Sequence, residues 1–140
     1  MSKNILAFVL ATVILACAHV AEAQKPPTVR RIGYLAPAGG PSSFYEIFRK
    51  GLRELGYVEG QNIVLEYRSA DDRSRLAELA TELVQRKVEL IVATGPATTA
   101  ARIATGTVPI VFAFSGDPVE ARLVESLARP GKNMTGITWL

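Results

Sequence analysis

Two short apolar runs constrain this chain most: Val88–Ala93 (VELIVA) and Val108–Phe114 (VPIVFAF). Each is followed by a loop of small and hydroxyl residues and then by a helix-like pattern. Strands that are apolar all along need cover on both faces, which parallel sheets with crossover helices provide. The rest of the sequence keeps the same grammar. Arg30–Ala36 (RRIGYLA) reads as a first strand ending at Pro37. Ser42 or Ser43 then caps a helix with apolar positions Phe44, Ile47, Phe48, Leu52 and Leu55, stopped by Gly56. Ile63–Tyr67 is a second strand. Asp71 and Asp72 open a second helix through Leu76, Leu79, Ala80, Leu83 and Val84. Thr94 is expected to cap a third helix, with Pro96 at its first position and its end near Gly106. Asp117-Pro118 opens a fourth, marked by Val119, Leu123, Val124 and Leu127, and Asn133–Trp139 closes the series as a strand. This alternation predicts an α/β fold, a doubly wound parallel sheet with right-handed crossovers.

The N-terminus stands apart. Lys3 is a positive flank, Ile5–Ala16 an apolar run short for a bilayer, and Ala21-Glu22-Ala23 an A-x-A cleavage site. Residues 1–23 are therefore expected to be a secretory signal peptide and 24–29 an extended leader. Residues 30–140 are left as one α/β lobe with one modest core. Ile14-Leu15-Ala16-Cys17 also resembles a lipobox, with Leu15 an imperfect match, so lipidation at Cys17 competes with cleavage after Ala23. The complete, correctly spaced A-x-A site favours cleavage. The exported product is then expected in the periplasm, or as a membrane-tethered lipoprotein if Cys17 is used. Cys17 is the only cysteine, so the lobe has no internal disulfide to form.

Several chemistries find no support. The formal charge of +3 comes from scattered basic residues, with no basic stripe interleaved with aromatics, and nucleic acid is not an expected partner. Gly33 and Gly39-Gly40 lack the G-x-G-x-x-G spacing of a dinucleotide site, and no phosphate-binding G-x-x-x-x-G-K-[ST] loop occurs. The single histidine, His19, lies in the signal segment, so Ser115 has no base to activate it and no transition-metal site is expected. No cofactor and no catalytic residue are assigned.

In doubly wound sheets ligands bind beyond the carboxyl ends of the strands. Three loops converge there, and each combines hydroxyls with a helix start that suits a carboxylate. Their candidate ligand-binding residues are Pro37, Gly39, Gly40, Ser42 and Ser43 in the first loop; Gly95, Pro96, Thr98 and Thr99 in the second; and Ser115 and Asp117 in the third. Capped helices follow strands in every such fold, so each loop also has a purely structural reading, and Asp117 reads first as a helix cap. Tyr34, Phe44, Tyr45 and Phe114 could stack on an aromatic ligand, although Tyr34 and Phe114 read as core.

Segments matched in order and spacing carry a family resemblance. Arg31–Leu35, Phe48–Gly60 (FRKGLRELGYVEG), Asn62–Arg68, Val111–Pro118 and Leu127–Gly136 (LARPGKNMTG) closely resemble the tryptophan/tyrosine-type ABC-transporter substrate-binding proteins. The resemblance implies a type I periplasmic-binding-protein-like lobe. It also implies an extracytoplasmic solute-binding role in an ABC importer, with an aromatic or related amino acid or small carboxylate as ligand and an inner-membrane ABC permease as partner. Members of the family are roughly twice as long and have two lobes. This chain is expected to hold the N-terminal lobe without the second. A truncated non-functional fragment, or an exported enzyme on the same scaffold, are the readings left open beside it.

Overall fold

A computed structural model describes residues 28–39 and 43–139. The signal segment with Cys17, most of the 24–29 leader, Gly40 and Ser42 lie outside the described residues. Five strands form one sheet: β1 (Arg30–Pro37), β2 (Ile63–Ala70), β3 (Leu90–Thr94), β4 (Ile110–Ser115) and β5 (Met134–Trp139). All pairs are parallel and the strand order is β2-β1-β3-β4-β5, so the winding reverses at β1. Three helices connect them: α1 (Ser43–Glu54), α2 (Arg73–Gln85) and α3 (Ala97–Ala104).

The period-2 alternation of β1 divides the core. Leu35 joins the larger cluster with Leu76, Leu79, Ala80 and Leu83 of α2, Ala97, Ala100 and Ala101 of α3, and Ile91, Ile110 and Phe112 of the sheet. Ile32, Tyr34 and Ala36 turn to the other side and pack with Tyr45 of α1 and Val92. Gly33 shows why α2 can lie so close: a Cβ there would come 3.0 Å from a Leu83 methyl. Both faces of β1 are thus covered, and so are those of β3, with Ile91 and Ala93 in the larger cluster and Val92 in the smaller; β4 gives Ile110 and Phe112 to the larger cluster and leaves Val111 and Ala113 half-buried on its other face.

The helix ends follow local chemistry. Asp72 caps α2, its carboxylate accepting from the Ser74 backbone N–H at 3.2 Å. At the end of α1 the Tyr57 N–H donates to the Leu52 carbonyl at 2.9 Å and the Gly56 N–H to Arg53 at 3.0 Å. That is a Schellman closure, and Gly56 has the positive φ of 86° it needs. α2 closes the same way through Lys87 at φ 57°, a left-handed position held by a residue with a Cβ.

Three expectations are corrected. The inward face of α1 is Tyr45 with half-buried Phe48 and Leu52, while Phe44, Ile47 and Leu55 are exposed. Tyr45 is drawn in by aromatic packing, its ring 4.8 Å from Tyr34 and 4.6 Å from Tyr67. Thr94 ends β3 instead of capping α3, and Pro96 holds the cap position without a side-chain bond. The fourth helix is a single turn. Asp117 starts it as expected, but Arg122 at φ 56° closes it, with its N–H on the Val119 carbonyl and that of Leu123 on Pro118. Only Leu123 and Val124 of its apolar positions are buried; Leu127 is exposed.

Candidate functional site

The carboxyl ends of β3 and β4 open onto a concavity of about 680 Å³. Gly95, with φ 53°, turns the chain out of β3 so that α3 begins at the cavity wall. Pro96 and Thr99 continue that wall, and Ser115 faces it from the end of β4. Phe114, Ala100, Ile103 and Ala77 form an apolar side, and Arg73 from the first turn of α2 adds a cation to the lining. Hydroxyls, a helix start, a cation and apolar surface therefore share one space, the composition that suits a small amphipathic anion.

Of the residues singled out from the sequence, Gly95, Pro96, Thr99 and Ser115 come together here. Thr98 does not. It is fully buried, and its hydroxyl donates to the Ala93 carbonyl at 3.4 Å, so it ties α3 to β3 within the core. Asp117 is exposed outside the cavity lining, and its Oδ1 accepts from the Val119 and Glu120 N–H groups at 2.7 and 3.2 Å. In this structure it serves as the cap of the single turn. Pro37 ends β1 in register with Ala70, and Gly39 and Ser43 are exposed at the same end of the sheet without lining the cavity.

β5 supports the site from the side. The Gly116 N–H donates to the Trp139 carbonyl at 2.9 Å, and the Thr138 hydroxyl donates to the Gly116 carbonyl. The loop after Ser115 is thus held by the last residues of the sheet. Trp139 also stacks on Phe44, ring centroids 5.9 Å apart. Among the described residues no group of three or more His, Cys, Asp or Glu side chains is placed to hold a metal ion. Nor is any helix there long and apolar enough to cross a membrane.

Sequence reasoning did not single out Arg73, Ala77, Ala100 and Ile103; Phe114, read as core but also able to stack on an aromatic ligand, is half-buried, packs against the core and lines the cavity. The alanines carry no signal of their own. Arg73 does: it is a basic residue in the first turn of a helix, where the dipole prefers acids.

Comparison with known proteins places this geometry. A tyrosine-binding protein of Clostridioides difficile (strain R20291) is 40% identical over 91 residues, covering 64% of this chain and 26% of that protein. An ABC domain from Streptococcus pneumonia, solved in complex with L-Trp, superposes with a TM-score of 0.73 at 31% identity, covering 79% of this chain and 39% of that one. The ligand-free, open structure of a substrate binding protein with adhesive properties from Clostridium difficile gives 0.73 at 33% identity, over 77% of this chain and 38% of that one. The chain thus spans about a quarter to two-fifths of the length of these relatives. The model of the ABC transporter substrate binding protein family matches residues 37–138. A parallel doubly wound lobe with its concavity at the strand ends, matched through nearly its whole described length, belongs to that family of ABC transporter substrate binding proteins.

Proposed function

We propose that this chain is the N-terminal lobe, residues 30–140, of an extracytoplasmic receptor that delivers an amino-acid-like carboxylate to an inner-membrane ABC permease. The carrying observation is the cavity at the ends of β3 and β4, where Thr99, Ser115 and the start of α3 adjoin the apolar wall of Phe114 and Ile103. A carboxylate fits the polar side and an apolar or aromatic side chain the other. Two of these relatives are binding proteins by name and a third, an ABC domain, was solved in complex with L-Trp, which favours binding over catalysis. A second lobe closing over the open side would supply the enclosure that small-ligand sites ordinarily have.

Calorimetric titration of the full-length protein with L-tryptophan and L-tyrosine is expected to give saturable heat. Thr99→Val and Ser115→Ala should each weaken binding by about three- to tenfold, the worth of one hydrogen bond to a charged or polar group. No heat with either amino acid would remove the proposed ligand class.

Export through the 1–23 segment accompanies this proposal, with delivery to the periplasm. Mass spectrometry of the secreted protein should find Gln24 as the first residue. A diacylglyceryl group on Cys17 would instead make it a membrane-tethered receptor. Retention of Met1 would defeat the export reading.

A further inference from the structure

We infer that Arg73 anchors the ligand's carboxylate, which makes the receptor selective for free acids over their amides; this rests on the solute-binding reading above. Arg73 is the first residue of α2 and lines the same cavity as Thr99 and Ser115. About half of the described cations are held in ion pairs, and Arg53, Lys87, Arg102, Arg122, Arg129 and Lys132 are, like Arg73, without one. Arg30 pairs with Glu89, Arg49 with Glu59, Arg75 with Glu78, and Arg68 and Arg86 with Glu66 and Glu82. Arg73 has no ion pair within 4.0 Å among the described residues, and of the unpaired cations there it is the one that lines this cavity. The nearest acid in sequence, Asp72, is occupied as the α2 cap by the backbone N–H and hydroxyl of Ser74.

The position is also unfavourable for folding. A cation in the first turn of a helix opposes the macrodipole; α2 has no acid within that turn, and the Asp72 cap with Asp71 just before it supplies the negative charge at this end. Arg75, in the same turn, is compensated by Glu78 at 2.6 Å. Arginine's planar fork presents two parallel N–H donors that match a carboxylate, and such paired charged bonds are the strong ones. With the carboxylate on Arg73 and the Thr99 and Ser115 hydroxyls beside it, the ligand's side chain would lie along Phe114, Ala100 and Ile103. The merely solvated surface arginine is the competing reading, and it makes no distinction between an acid and its amide.

That distinction is the test. Full-length wild type, Arg73→Gln and Arg73→Lys are titrated with L-tryptophan and with L-tryptophanamide, and circular dichroism melts verify that each variant folds. Wild type should prefer the acid by about tenfold or more. Arg73→Gln should lose about ten- to hundredfold in affinity for the acid and change by less than about twofold for the amide. Its preference would then collapse, and Arg73→Lys should recover part of it. If Arg73→Gln keeps the wild-type preference, the anchoring role is overturned while amino-acid binding stands. If wild type takes up neither compound and no tyrosine, the solute-binding reading itself falls, and the role of Arg73 with it.

Discussion

Gly136→Ala should destabilise the protein by about 3 kcal/mol or more, the upper end for adding one methyl group to a packed site. A Cβ at position 136 would meet the Phe112 carbonyl oxygen and lie 2.7 Å from two atoms of the Phe112 ring. The obstacle is backbone, so no rotamer change relieves it. β5 would have to move away from β4, to which it pairs from Ile110–Met134 through Ser115–Trp139. β5 is the edge of the sheet, so its detachment is the least costly way out, and the consequences run to the site. The bonds from Gly116 to Trp139 and from Thr138 to Gly116 would go with it, releasing the loop that follows Ser115. Chemical denaturation should show the lost stability. Hydrogen exchange at native pH should show the β4–β5 amides opening first, and affinity for L-tryptophan should fall as well. A variant within about 1 kcal/mol of wild type, with β5 still protected, would mean that the close approach of these strands is not required.

Gly136 is visible in the sequence as the end of the Leu127–Gly136 segment that carries the family resemblance, but its reason is not, because the contact is with Phe112, 24 positions away. The same division holds elsewhere. The strands were legible because buried parallel strands carry continuous apolar runs, and α2 because Asp72 caps a clean helical spacing. The phase of α1 was not. Apolar periodicity pointed to Phe44 and Ile47, whereas the Tyr34–Tyr45–Tyr67 ring cluster decides which side turns inward. The fourth helix failed for a related reason. Its start has the Asp-Pro signature, but its stop is Arg122 in a left-handed conformation that glycine or asparagine ordinarily marks. At the site, strand ends located the loops, and Gly95, Pro96, Thr99 and Ser115 meet there. Which hydroxyl of Thr98-Thr99 turns outward depends on helix phase, and the contribution of Arg73 depends on α2 packing beside α3, neither of which spacing alone contains.

Glu66→Gln should cost about 2 kcal/mol at neutral pH, and the loss should vanish in acid. Glu66 lies on β2 with its side chain 11% exposed, and it meets three arginines: Arg31 of β1, Arg68 of β2 at 3.2 Å, and Arg86, just beyond α2, at 3.2 Å. Arg68 and Arg86 also share Glu82 of α2. Removing the central charge leaves Arg31 without its partner and two arginines on one remaining acid. Breaking a fully buried pair costs about 3–5 kcal/mol; Arg31 and Arg86 are 40% and 47% exposed, so solvent screening lowers the figure here. Burial alone would raise the Glu66 pKa. The Arg31 hydrogen bond and the charges of Arg86, Arg68 and Arg31 outweigh it and hold the carboxyl below its ordinary value of 4.5. Because the folded pKa is the lower one, the stabilisation is fully present above about pH 4.5 and is lost as pH falls through the folded value. Glu82 is lowered too, chiefly by its bond to Arg68, so it loses its contribution in the same direction. Denaturation curves of wild type and Glu66→Gln should therefore converge in acid, once the pH has fallen through the lowered folded pKa of Glu66, since a protonated glutamate resembles glutamine. A gap as wide there as at pH 7 would show that shape, and not charge, is what Glu66 supplies. The network joins β1 and β2 to the end of α2 remote from Arg73, so the variant should keep the acid-over-amide preference. That outcome separates the residues that hold α2 in place from the one proposed to use its other end.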